Sequence, residues 1–212
     1  MSLRRVVVDA AIVAPADLMP AVEWLRHGGV VAFPTDTSYG LAVDPTSEAA
    51  VHGLFMLKGR SARAALPLIA ASVSQIEAAC GQLDRASARL AGAWWPGPLS
   101  LLLDAPTGIS AAVHGGSRSV AVRVPAHRVA RLLADAWGGL LTATSANLSE
   151  APPANAAGDL DALAADSRDF VVDGGPTAGG LPSTIVDARG PRATLIRDGA
   201  IPWERVLESL KG

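Results

Sequence analysis

Short apolar runs rich in Val, Ile and Leu alternate along this chain with segments whose apolar residues recur every three or four positions. That alternation limits the fold more than any other feature. Aliphatic, β-branched runs make strands and the helical period makes amphipathic helices, so their succession predicts an α/β architecture with a mixed sheet. "RRVVVDA" predicts a strand; Leu18, Val22 and Leu25 then keep helical spacing until Gly28 and Gly29 stop them. "VVAFP" predicts a second strand, and Ser47 to Lys58 a helix with Ala50, Val51, Leu54 and Phe55 on one face and Gly59 at its end. "LPLIAA" predicts a buried strand, and Ser72 with Gln75 a capping box opening the next helix. Asp84 caps another helix ending near "AWWPGP", followed by a strand at "LSLLL". "SVAVRVP" alternates as a strand does, "HRVARLLADAW" is helical, and "LLTAT" is again a strand. The Ala- and Pro-rich segment from Ser149 to Gly158 is looser. Strands at "FVV", "STIVD" and "ATLIR" and an amphipathic helix marked by Trp203, Val206, Leu207 and Leu210 complete the order. There is no internal repeat and no long polar linker, so residues 1–212 are expected to form one domain.

Bulk properties remove several function classes. Half of the 212 residues are apolar, ample for a core, and the net charge of −2 does not suit a broad non-specific nucleic-acid binder. Cys80 is the single cysteine, which excludes an intramolecular disulfide and a thiolate zinc site. Asp9 interrupts the apolar run near the start, and no stretch reaches the roughly 20 apolar residues of a membrane span. A cytoplasmic location without membrane contact is therefore expected. His27, His52, His114 and His127 lack H-x-x-x-H spacing, and no Gly-x-Ser-x-Gly elbow occurs. Neither G-x-G-x-x-G after the first strand nor G-x-x-x-x-G-K-[ST] is present. Any phosphate would have to be bound by another device.

Six segments carry chemistry beyond what packing needs. In "FPTDTSYGL", Thr35, Asp36, Thr37, Ser38 and Tyr39 place hydroxyls, a carboxylate and a phenol between two apolar runs. They either satisfy their own turn or line a site. In "LKGRSAR", Lys58 falls at a helix C-terminus, where a cation meets the dipole favourably, with Arg60 and Arg63 close behind. Singly these are surface charges; together they form a clamp for an anion. In "SVAVRVPAH", Val120, Val122 and Val124 share one strand face and Ser119, Ala121 and Arg123 the other. A guanidinium there requires an anionic partner, from the protein or from a substrate. "TATSANLS" ends a strand with Ala143, Ser145 and Asn147; Ser183 opens "STIVD" and Arg197 closes "ATLIR".

Taken in order, "FPTDTSYGL", "KGR", "WPGPLSLLL", "VAVRVPAH" with "TSAN", and "STIVD…LIRDG" resemble the YrdC-like threonylcarbamoyl-AMP synthases, in their single-domain form, from Ala21 to Gly199. The resemblance implies a twisted mixed α/β sheet around a concave, electropositive cavity. It implies a nucleotidyltransferase that makes threonylcarbamoyl-AMP from L-threonine, bicarbonate and ATP with release of pyrophosphate. Partner proteins then pass the group to tRNA. Carried over by motif, Thr35, Arg123, Ala143 and Ser183 would bind threonine. Lys58, Arg60, Ser119, Ser145, Asn147 and Arg197 would contact ATP, with Lys58 and Arg60 acting in catalysis. No metal ligand is implied in the protein, and Mg2+ would arrive with ATP. The chain departs from the family pattern after Arg60, where Ser61 replaces the usual Pro and "ARAAL" lengthens the spacer before Pro67 and Leu68. Two alternatives stay open: a paralogue acting on another carbamoyl substrate, and a non-catalytic module contacting RNA in ribosome maturation.

Overall fold

The computed structural model describes residues 4–59, 65–148, 151–162 and 169–211. The chain begins with β1 (Arg4–Val7), α1 (Pro15–Arg26), and a hairpin of β2 (Val30–Pro34) and β3 (Tyr39–Ala42). Helix α2 (Glu48–Lys58) starts where the Ser47 hydroxyl accepts the Ala50 amide at 3.2 Å, and ends at Gly59 in the left-handed region. After β4 (Leu68–Ile69) comes α3 (Val73–Cys80), then α4 (Arg85–Trp94), whose Asp84 cap accepts the Ser87 amide at 2.8 Å. Next are β5 (Leu99–Asp104), α5 (Ala111–His114), β6 (Ser119–Arg123) and α6 (Arg128–Trp137). The chain finishes through β7 (Leu141–Thr142), β8 (Thr144–Ser145), a 3-10 turn (Ala157–Ala162), β9 (Asp169–Asp173), β10 (Thr184–Asp187), β11 (Thr194–Arg197) and α7 (Trp203–Leu210).

The α/β class is as expected, but the strands divide over two mixed sheets. Among the described residues one runs β1-β9-β2-β3-β8 and the other β11-β10-β5-β6-β4-β7. Residues of both sheets line one concavity. Strand β2 is buried along its length. Val31 and Phe33 pack with Leu18, Val22 and Leu133 of α1 and α6. Val30 and Ala32 face the larger core that draws on both sheets. Alternate residues thus serve opposite faces. Two local expectations need correction. The Ser72 hydroxyl does accept the Gln75 amide, but the Gln75 side chain takes the Ala71 amide at 2.7 Å instead of closing a box on Ser72. Strand β4 is shorter than "LPLIAA", because its pairing with β6 and β7 covers only Leu68 and Ile69.

The segment "LLTAT" is one apolar run but serves both sheets: β7 pairs with β4, β8 pairs with β3, and Ala143 is the crossing point. Buried Thr142 ties the crossing down. Its hydroxyl accepts the Val43 amide at 2.8 Å and faces the Leu41 carbonyl at 3.3 Å. Thr142→Val removes the acceptor that this amide has among the described residues, and is expected to cost about 1–3 kcal/mol. A urea transition unmoved by the substitution would contradict this role.

Candidate active site

The hairpin loop joins β2 to β3 with Pro34 opposite Tyr39. Its hydroxyls hold one another. Thr35 Oγ1 donates to the Ser38 carbonyl at 2.7 Å, accepts the Thr37 amide at 3.1 Å, and lies 3.0 Å from Thr37 Oγ1. The loop is therefore a self-satisfied turn, and it is also the seat of Arg123. That side chain leaves the end of β6 on the face predicted by alternation and is buried at 6 % exposure. Its Nη1 donates to Asp36 Oδ1 at 2.6 Å and to the Gly97 carbonyl at 3.4 Å. Its Nη2 lies 3.3 Å from Thr35 Oγ1 and 3.4 Å from Thr37 Oγ1. The anionic partner that a buried guanidinium requires is thus Asp36.

These groups border a cavity of about 790 Å³. Thr35, Thr37 and Ser38 form one wall, and Ser119, Ala121 and Arg123 of β6 another. Ala143 and Ser145 enter from the sheet crossing, Ser183 and Arg197 from the last hairpin. Ile69, Leu102, Ile185 and Ile196 supply apolar surface. Every described residue expected on the threonine side lines this space, as do Ser119, Ser145 and Arg197. Lys58 and Asn147 are outside that lining and connect to it through hydrogen bonds with Ser145. Lys58, 3 % exposed in the last turn of α2, donates through Nζ to the Ser145 carbonyl, to the Asn147 carbonyl at 2.8 Å, and to Asn147 Oδ1 at 3.0 Å. Ser145 Oγ donates to Asn147 Oδ1 at 2.6 Å, so the three residues form one knot. Arg60, Ser61 and Arg63 lie outside the described residues.

Arg197 is oriented by Ser183. Its Nε and Nη2 donate to the Ser183 carbonyl at 3.1 and 2.7 Å, and Nη2 also reaches Ser183 Oγ at 2.9 Å. Ser183 is itself 2.9 Å from Ser100 Oγ. Tyr39, wholly buried, donates to the Gly175 carbonyl at 2.8 Å; burial first, then the Asp173 carboxylate, pushes its phenol up to about 12 and keeps it protonated. Burial likewise pushes the Cys80 thiol up to about 11, leaving no thiolate near neutrality.

Two further charged residues at the site are not picked out by the sequence reading. Asp36 was visible as the loop's carboxylate but received no role. Arg189 lines the cavity and donates to Ser119 Oγ at 2.8 Å and Asp104 Oδ1 at 2.7 Å, while Nε and Nη2 clasp both oxygens of Asp187 at 2.9 and 2.8 Å. The signal lay in "VDARG", where Asp and Arg sit two residues apart at a strand end. The Arg189 hydrogen bond holds the Asp187 carboxyl below its usual range. A depressed carboxylate stabilises the fold above the unfolded value and loses that contribution as pH falls through the folded one. Arg189→Gln should therefore cost about 1 kcal/mol at neutral pH. The difference from the parent should shrink below about pH 4. A difference independent of pH in thermal melts would contradict the pairing.

The model of the family described as telomere recombination, covering Sua5, YciO and YrdC proteins, matches residues 23–199. The chain belongs to the Sua5/YciO/YrdC family. This Sua5/YciO/YrdC protein is 40% identical to threonylcarbamoyl-AMP synthase of Halorhodospira halophila over 87% of its own length and 91% of the relative's. It is 35% identical to the synthase of Pyrococcus abyssi over 88% of its length, but spans only 55% of that longer chain. The solved structure of P. abyssi Sua5 complexed with L-threonine superposes with a TM-score of 0.89 at 31% identity, covering all of this chain and 61% of that one. The match covers all the segments that converge on the cavity.

Proposed function

We propose that this protein is an L-threonylcarbamoyladenylate synthase that joins L-threonine, bicarbonate and ATP and releases pyrophosphate. The observation that carries this reading is the convergence of Thr35, Arg123, Ala143, Ser145, Ser183 and Arg197, from separate segments, on one cavity large enough for an amino acid beside a nucleotide. The curated relatives of P. abyssi and H. halophila are threonylcarbamoyl-AMP synthases, which supports the same assignment.

In this proposal bicarbonate loses water to supply CO2, which the threonine amine takes up as a carbamate with release of a proton, and a carbamate oxygen attacks the α-phosphorus of ATP. The bond to the β-phosphate oxygen breaks and pyrophosphate leaves. The chain needs no nucleophile of its own. Arg123 would bind the amino-acid carboxylate beside Thr35, with Ala143 and Ser183 bounding that end. Ser119, Ser145 and Arg197 would contact the nucleotide, and Lys58, with Asn147, would fix the Ser145 turn and add positive potential behind it. Arg60 would complete the cation set. Catalysis is then positioning plus charge stabilisation. Mg2+ would accompany the nucleotide and neutralise phosphate charge. Among the described residues no group of His, Cys, Asp or Glu forms a cage for it, so its ligands would be phosphate oxygens and water. The product would feed tRNA threonylcarbamoyladenosine formation through partner proteins. Among the described residues no helix is long and apolar enough to cross a membrane.

Pyrophosphate release from ATP, measured with threonine and bicarbonate present or omitted one at a time, tests the proposal. Dependence on both is the expected result. Dependence on a different amine would favour a paralogue with another carbamoyl substrate. No turnover in any combination would overturn the enzymatic reading.

A further inference from the structure

We infer that Asp36 is a positioning residue that sets which edge of the Arg123 guanidinium is offered to the amino-acid carboxylate. This rests on the proposed role of the cavity and deepens it. Of the guanidinium's side-chain partners, Thr35 and Thr37 line the cavity, whereas Asp36 lies outside its lining. The short charge-assisted bond, 2.6 Å from Nη1 to Asp36 Oδ1, is therefore the one made to a side chain that does not line the cavity. On the cavity side, among the described residues, Nη2 has only contacts of 3.3 and 3.4 Å to two hydroxyls. Those hydroxyls have better partners already, since Thr35 donates to Ser38 at 2.7 Å and lies 3.0 Å from Thr37. A carboxylate arriving at Nη2 would displace long bonds and leave the short one intact.

The carboxylate's own environment shows that Asp36 is not there simply to stabilise the fold. The side chains of Arg123 and Asp36 are 8 and 13 % exposed, so both are largely desolvated. A buried ion pair returns little net stability against apolar groups of the same size. This one is less favourable still, because Asp36 Oδ2 is buried with no protein hydrogen-bond partner among the described residues. His127 Nδ1, near enough to feel the Asp36 charge, likewise has no protein partner among the described residues, and burial lowers the pKa of that imidazole despite the opposing pull of Asp36. Among the described residues the fold thus leaves one carboxylate oxygen and one ring nitrogen near Arg123 without a protein partner. What it gains is a guanidinium held by one corner, with its charge partly balanced and its opposite edge open to exchange. Asp36 touches no substrate in this scheme; it acts through Arg123.

The test is steady-state pyrophosphate release with threonine and ATP varied separately, on the parent, Asp36→Asn and Asp36→Ala. Side-chain N–H NMR of Arg123 is recorded alongside. Asp36→Ala should raise the KM for threonine about ten- to a hundredfold, the cost of losing one charge-assisted bond. The KM for ATP should stay within about threefold of the parent. Asp36→Asn, which keeps an oxygen acceptor at nearly the same volume, should fall between the two. The Arg123 Nη signals, distinct in the parent, should merge in Asp36→Ala as the guanidinium rotates freely. An unchanged threonine KM, equal increases for both substrates, or unaltered Arg123 signals would overturn the inference. So would a lower threonine KM, which would make Asp36 a competitor of the carboxylate. If the parent shows no threonine-dependent turnover, the proposed function falls, and the NMR comparison still decides whether Asp36 holds Arg123.

Discussion

Lys58→Ala is expected to slow pyrophosphate release about 10²- to 10³-fold at saturating threonine, the range for removing one preorganised charge-stabilising group. The reason is architectural as well as electrostatic. Lys58 gathers the Ser145 carbonyl and both oxygens of Asn147 around one ammonium, and so shapes the turn that brings Ser145 to the cavity. Truncation removes the cation and leaves buried oxygens to find other donors, which adds a stability loss of about 1–3 kcal/mol. Lys58→Arg should not rescue turnover, because a planar fork cannot replace a compact ammonium among three converging oxygens. Full turnover in a variant that only melts earlier would show that Lys58 is a structural cation.

Arg123→Ala carries the second large effect, on stability and on threonine use together. It strands Asp36 as an unpaired carboxylate in a site with little water, a change that typically costs about 3–5 kcal/mol. Adding Asp36→Asn removes the stranded charge and should recover most of that loss, so the two substitutions should be strongly non-additive in denaturant unfolding. Threonine-dependent turnover should stay lost in the double variant, since no guanidinium remains for the carboxylate. Additive stability changes would mean that Arg123 and Asp36 do not act as a pair. Recovered turnover in the double variant would remove Arg123 from the substrate site.

The sequence carries clearly what depends on local periodicity. The Ser47 and Asp84 caps and the helix bounds of α2 and α4 agree with the structure. Alternation in "SVAVRVP" placed Ser119, Ala121 and Arg123 on one face, which is the cavity face. Short elements were harder to see. Helix α5 has only four residues, too few to display a period. The division into two sheets was hidden because it is set by distant pairing: β9 joins β1 and β2, and the single run "LLTAT" changes sheets at Ala143. Asp36 and Arg189 were missed for the same reason. Asp36 pairs with Arg123, 87 residues away, and Arg189, besides its local partner Asp187, reaches Ser119 70 residues back, which is the contact that ties it to the cavity. Local reading could state that Arg123 needs an anion, but only the tertiary fold reveals which carboxylate supplies it.

A crystal structure of this protein soaked with L-threonine and a non-hydrolysable ATP analogue examines the central claim most directly. Both ligands should occupy the one cavity, the threonine carboxylate within hydrogen-bond distance of Arg123 Nη2 and the phosphates on the side of Ser145 and Arg197. Threonine bound elsewhere, or a nucleotide whose phosphates lie against Arg123 in its place, would contradict the account.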